Sequence, residues 1–295
     1  MLRQQHLSQA LERLAHEAHY DALDPADRAD LLSEMLPGAS SFLEAVPCKA
    51  TGLAWEPAEF ITELRRRLLA PVYEEESWCP VCDAVLDKRG RHASICAGAG
   101  DRTSRHHAAR NEVGKFAAEA GQHPELEKAG LLPPGPDNPG SNLRRPADVY
   151  LPSWTGGAPA ALDLAVTSPQ RQDILSQATL RCGAAAEAYE MYKRAYKDTA
   201  ADCASQGLSF IPMVAEPSGG WGPSACCTLK ALARAAAARS HSGAEPSAVL
   251  AEHQQRLCTV IRRATARAVL RREVTADPAR CPQQAALAVL ASDAT

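Results

Sequence analysis

The residues of this sequence whose types and spacing can do chemistry are two aspartates in apolar surroundings and a short run of cysteines and histidines. Asp148 follows Arg145, Pro146 and Ala147 and precedes Val149 and Leu151, while Asp163 lies between Leu162 and Leu164. An ionised carboxylate is costly to bury in a strand unless a cation or strong donors compensate. Two of them converging from adjacent strands make a hard oxygen site suited to Mg²⁺ or Mn²⁺. Such an ion lowers the pKa of water and stabilises the oxygens of an in-line phosphodiester attack. That chemistry also wants a cation near the scissile phosphate. Lys193 sits roughly 80° from the centre of a helical stripe formed by Ala185, Ala188, Tyr189, Tyr192, Tyr196, Thr199 and Cys203, so it is placed at the edge of a buried face. Lys197, farther round, is expected to face water. Glu112 is a candidate third acid.

The second group is Cys79, Cys82, His92 and Cys96, a Cys-x2-Cys-x9-His-x3-Cys spacing. Tetrahedral Zn²⁺ takes two thiolates from one tight turn and closes on a His/Cys pair from the next element. Four protein ligands leave no open position, so the metal is expected to be structural, and its binding energy is largely the folding energy of so small a segment. His106 or His107 is an alternative to His92. The remaining cysteines are scattered, which argues for a reduced, intracellular protein rather than a disulfide framework.

The elements that must position these groups follow from periodicity. Residues 1–70 read as helices, with Leu7, Leu11 and Leu14 in helical spacing and a later apolar face of Phe60, Ile61, Leu64, Leu68 and Leu69 beside Arg65, Arg66 and Arg67. A helix is expected from Ser104 to Ala120, and the Pro/Gly-rich stretch 130–142 is a loop. Strands are expected over Ala147–Leu151 and Ala160–Thr167, joined through Trp154 and two glycines. A helix over 184–205, a strand over Ser209–Ala215 and a helical tail from about Cys226 complete an α/β layout.

Net charge is −3, so nucleic-acid contact must come from local patches. One lies around the cysteines (Lys88, Arg89, Arg91, Arg102, Arg105, Arg110). Another lies in residues 229–273, with nine Lys/Arg against three Glu, where Arg256, Arg263, Arg267 and Arg271 share a helical face. Arg102, Arg105, Arg256, Arg263 and Arg267 are the candidate nucleic-acid contacts. No run of eighteen apolar residues supports a membrane span.

With its cysteine–histidine set, the Arg145, Pro146, Ala147, Asp148 motif and Asp163, the chain resembles the C-terminal region of site-specific non-LTR retrotransposon polyproteins. Stretches 37–47, 60–68, 210–222 and 257–272 extend the resemblance over most of the sequence. It implies a CCHC knuckle followed by a restriction-endonuclease-like domain of the PD-(D/E)XK type, a mixed sheet flanked by helices. It further implies a nucleus-located, Mg²⁺- or Mn²⁺-dependent endonuclease that nicks target DNA for reverse transcription, with RNA as a second partner. In that reading Asp148 and Asp163 hold the metal and Lys193 assists. Three departures stand out: Ala147 is inserted in the motif, Ala165 replaces the usual lysine two places after the second acid, and the knuckle spacing is slightly altered. No Tyr-x-Asp-Asp polymerase motif is present. The expected organisation is a helical linker region (1–72), a zinc knuckle (73–100), a nuclease domain (101–225) and a basic helical tail (226–295). The alternative is the same fold without catalysis, acting as a zinc-dependent nucleic-acid-binding module.

Overall fold

A computed structural model describes residues 4–82, 84–134, 144–240 and 243–276. Much of the expected loop (135–142) and the last nineteen residues lie outside this range. The N-terminal third holds helices α1 (Gln4–Ala22), α2 (Pro25–Ser33), α3 (Ser41–Glu44) and α4 (Pro57–Arg67). Asp24 starts α2 by accepting from the backbone N–H of Asp27 at 2.8 Å, with Pro25 in the first turn where its missing N–H costs nothing. A two-stranded hairpin, β1 (Ser77–Trp78) and β2 (Val85–Leu86), leads into the short helix α5 (Arg91–Ile95) and then the long helix α6 (Asp101–Glu119).

The central sheet has the order β3 (Glu125–Leu126), β4 (Val149–Leu151), β5 (Ala160–Val166), β6 (Ser209–Ala215). The first three strands are antiparallel neighbours, and β6 runs parallel to β5 with Asp163 opposite Pro212. The parallel pair needs a crossover, supplied by α7 (Leu175–Ala178), α8 (Ala184–Ala195) and α9 (Thr199–Ser205). The chain ends in α10 (Pro223–Arg239) and α11 (Pro246–Ala276). The molecule is thus mixed α/β, with a four-stranded mixed sheet. No described helix is long and apolar enough to cross a membrane.

Strand alternation decides what each face carries. Val149, Leu151, Leu162 and Leu164 point into the main core with Phe116 of α6, Leu229 and Leu232 of α10, and Leu257 and Ile261 of α11. Ala161 and Phe210 pack on the opposite face with Leu208 and with Cys203 of α9. Asp163, one residue from Leu162 and Leu164, therefore shares the face that α8 and α9 cover.

Two expectations fail here for one reason. The apolar face anticipated on α4 is only partly covered: Phe60 packs on Phe42 and Trp55, but Ile61 is 50% and Leu68 74% exposed, and the helix's buried residues are Glu59, Thr62 and Glu63. These acids meet the arginines of the expected basic tail. Arg262, wholly buried, bonds Glu63 at 3.0 Å and also pairs with Glu34, while Arg267 bonds Glu59 at 2.7 Å. Arg263 donates to the carbonyls of Gly52 and Ala54 and lies 3.5 Å from Glu59; Arg256 pairs with Glu119 and Glu252. Arg271 and Arg272 both pair with Asp101. The local positive charge is spent on packing α11 against α4 and α6. Arg263 and Arg267, expected as phosphate contacts, are thus engaged with Glu59 and with the carbonyls before α4, and Arg256 with glutamates at the surface. His253 of α11 adds to the same seam, stacked on Phe116 with centroids 3.6 Å apart.

Candidate functional site

The cysteine–histidine cluster assembles as a compact unit. Cys79 and Cys82 bracket the turn after β1, the backbone N–H of Cys79 bonding Ala84 at 2.8 Å. His92 projects from α5 and Cys96 caps it, with its N–H on the His92 carbonyl at 2.8 Å. One ligand atom from each of the four lies within 4.8 Å of the others, and the Cys82–Cys96 sulfur separation is 3.7 Å. Two thiolates on a tetrahedral zinc stand about 3.8 Å apart when each bond is about 2.3 Å. The donor set and its spacing can hold a metal ion such as zinc. Burial opposes ionisation of Cys79, but the backbone N–H groups of Val81 and Cys82 outweigh it and bring the thiol down to about 6.

Asp87, which the sequence reading passed over, orients this unit: its carboxylate accepts from the backbone N–H groups of Arg89, Arg91 and His92 at 3.0, 3.1 and 2.7 Å. Gly90 precedes α5 with φ at +69°, and a Cβ there would meet Val72 at 2.9 Å and Val269 at 3.1 Å. Only glycine permits both the turn and the close approach to α11. Tyr73 adds a hydroxyl bond to the Val269 carbonyl at 2.8 Å. Arg89 and Arg91 pair with Asp27, and Arg91 also with Asp30 of α2. Two residues of the basic patch expected around the knuckle, Arg89 and Arg91, thus dock it on the body. Arg105 is corrected in the same way: it is buried, 3.3 Å from the Thr265 hydroxyl of α11. Arg102 and Lys88 remain exposed.

The acidic centre lies at the end of the β4–β5 ladder. Asp148 immediately precedes β4, its backbone N–H bonding the Leu162 carbonyl at 2.9 Å. Its Oδ2 accepts from the Leu164 N–H at 2.6 Å, so this carboxylate is tied across to the strand that carries Asp163. Lys193 reaches from α8 to Asp163, with Nζ 2.9 and 3.1 Å from the two carboxylate oxygens. Burial pushes the Asp163 carboxyl above its ordinary range, Lys193 pulls it back, and the charge of Asp148 pushes it up again. Lys193 is itself raised, because the pull of Asp163 outweighs burial.

Two residues that sequence reasoning did not place here complete the centre. His106 of α6, weighed as a zinc ligand, instead sets Nε2 3.1 Å from Oδ1 of Asp148, and that hydrogen bond is the main reason its pKa is raised. Glu127, just past β3, is held beside Asp148 by its backbone N–H on the Asp148 carbonyl at 3.0 Å. Ligand atoms of His106, Glu127 and Asp148 lie within 4.8 Å of one another. Arg110 and Arg145 pair with Glu127. Glu112, the candidate third acid, is elsewhere: it pairs with Lys115 at 3.3 Å on another face of α6. Local sequence offered no signal for Glu127, whose role depends on an edge strand of two residues. The chain matches no family model, no curated protein and no solved structure.

Proposed function

We propose that this protein is a metal-dependent DNA endonuclease with a restriction-endonuclease-like core and a structural zinc knuckle. The observation that carries the reading is the gathering of Asp148, Asp163 and Lys193, from two adjacent strands and the crossover helix, at one end of a mixed sheet. The four-stranded mixed sheet with helices around it is compatible with the mixed sheet flanked by helices that the retrotransposon resemblance implies.

Mg²⁺ or Mn²⁺ fits the donors present. Asp148, with His106 and Glu127, would hold it; Asp163, expected as the second ligand, is not in that cluster and pairs instead with Lys193. When bound, such an ion supplies an acidified water and neutralises charge on the phosphate. The chain's own groups do the rest. The Leu164 N–H fixes the rotamer of Asp148, leaving its Oδ1 toward His106. Asp163 holds the Lys193 ammonium in place, where a fixed positive charge stabilises what develops on the scissile phosphate. Lys193 does the work of the lysine that Ala165 replaces, reaching the same acid from the following helix.

The test is nicking of supercoiled plasmid under Mn²⁺ at fixed salt. Asp148→Asn and Lys193→Met should each lower the rate at least roughly 100-fold, the scale on which one charge-stabilising group acts, with folding unchanged by circular dichroism. Unchanged nicking in either variant refutes the assignment. A second reading, a catalytically silent nucleic-acid-binding module, draws on the internal pairing of Lys193 with Asp163 and of Arg110 with Glu127, which satisfies these acids without metal. Binding of DNA with no nicking by the wild-type protein under Mn²⁺ selects it.

A further inference from the structure

We propose that the face of α8 beside the acidic centre holds an unpaired DNA strand, its bases stacking on Tyr192 and Tyr196 and its phosphates passing Lys193 and Lys197. The proposal deepens the nuclease reading and rests on it for the identity of the adjoining centre. Tyr189, Tyr192 and Tyr196 follow one another at three- and four-residue spacing, which puts them on one helical face. By sequence this face is expected to be a buried stripe. Instead Tyr192 is 50% and Tyr196 47% exposed. Successive ring centroids are 5.4 Å apart and the rings are tilted by 41° and 42°, so the three form a continuous aromatic row. The Arg171 guanidinium lies 5.3 Å above Tyr189 at one end.

The other end of the row runs into a cleft of about 230 Å³ that Tyr196 lines together with Asp163 and Lys193. Arg144, Arg145 and Lys197 also line it, so its wall holds four cations to one acid, with Arg144 paired to Asp202 at 2.7 Å and Arg145 to Glu127 at 3.6 Å beyond it. The backbone helps to build this wall. Lys197 and Asp198 both adopt left-handed conformations, with φ at 49° and 52°. Non-glycine residues rarely hold such values, and they do so where surrounding structure enforces them. In a continuous helix Tyr196 and Lys197 would point about 100° apart; the break between α8 and α9 lets both face the one cleft.

A row of exposed aromatic rings beside a cationic groove is the means by which proteins hold single strands: rings stack on free base faces and cations follow the phosphates. Bases inside a duplex offer no free face, and a duplex would meet this surface through its phosphates alone. The strand that enters the acidic centre is therefore unpaired where it crosses α8.

Fluorescence anisotropy with the zinc-loaded full chain tests this, using a labelled thymidine 12-mer and a 12-base-pair duplex, with Ca²⁺ in place of Mg²⁺ or Mn²⁺. The single strand should bind more tightly than the duplex. Tyr192→Ala and Tyr196→Ala should each weaken single-strand binding about tenfold, as loss of one stacked base does. Tyr192→Phe and Tyr196→Phe, which keep the ring, should restore it, and duplex binding should stay unchanged throughout. Equal binding by the alanine variants, or a preference for duplex, overturns the proposal. Plasmid nicking is scored in parallel. If nicking persists but single-strand binding ignores the tyrosines, this proposal alone fails. If binding depends on the tyrosines but nothing is nicked, the nuclease reading alone fails.

Discussion

The knuckle and the acidic centre each gather metal-ligating side chains within 4.8 Å, yet they are built in opposite ways. The knuckle draws its four ligands from eighteen consecutive positions, closes all of them on one point, and is docked by Arg89, Arg91 and Tyr73. The acidic centre takes His106, Glu127, Asp148, Asp163 and Lys193 from separate elements, and its Asp163 and Lys193 line an open cleft. A closed, locally encoded site has nothing left for a substrate. An open one assembled from distant elements leaves Asp163 half-buried, its carboxyl raised by that burial and held by Lys193.

The largest expected effect separates the two. Chelating the knuckle metal, or Cys79→Ser, should abolish hydrogen-exchange protection over residues 79–96 while β5 keeps its protection. Structural zinc contributes about 10 kcal/mol or more in small metal-folded modules. Equal loss in both regions would mean that the knuckle is not a separate metal-folded unit.

Next is the anchor that both share. Removing one partner of a buried ion pair leaves the other charge uncompensated, at a cost of about 3–5 kcal/mol. Arg262→Ala leaves the wholly buried Glu63 to Arg66 alone, at 2.7 Å, and Glu34 to Arg67, and should lower stability to urea by up to that amount. A loss below about 1 kcal/mol would show the α4–α11 seam to be solvated rather than sealed.

A third prediction contrasts Asp163 with Glu216, which follows β6. Burial pushes the Glu216 carboxyl up to about 7, Ser33 and the Ala186 N–H partly offset this, and the charges of Asp30 and Glu34 add to the push. Its pKa is raised on folding, so its contribution to stability is fully present below about 4.5 and is lost as pH rises through about 7. Glu216→Gln should therefore gain roughly 3 kcal/mol over the wild type at pH 8 and little at pH 4. A difference that is flat with pH would show that Glu216 is ionised in the fold at no cost.

The smallest effect belongs to the surface of α11. Arg256 pairs with Glu119 and Glu252, both half exposed. Arg256→Ala should change stability by about 1 kcal/mol or less and leave the salt dependence of DNA binding unaltered. A shallower salt slope would return this helix to the nucleic-acid interface.

What was legible in the sequence follows the same division. Local spacing carried the knuckle ligands, and period-two patterning brought out β4, β5 and β6, with Asp163 on β5 and Asp148 just before β4. The helix expected over 184–205 is interrupted at Lys197, because two left-handed residues have no signature in side-chain periodicity. The arginines of α11 were illegible for a different reason. A basic stripe facing phosphate and one facing buried glutamates look alike until α4 is packed against it. Glu59 and Glu63 gave no sign by themselves, since acids on a helix are ordinarily solvated. His106 and Glu127 became visible only when β3 brought the chain alongside Asp148.

The most direct measurement is Mn²⁺ binding followed by electron paramagnetic resonance on the zinc-loaded protein. One Mn²⁺ per chain should bind beyond the zinc, and Asp148→Asn should release it while the zinc content stays at one. A wild-type protein that leaves Mn²⁺ free, or a variant that holds it as tightly, would contradict a metal-bearing acidic centre.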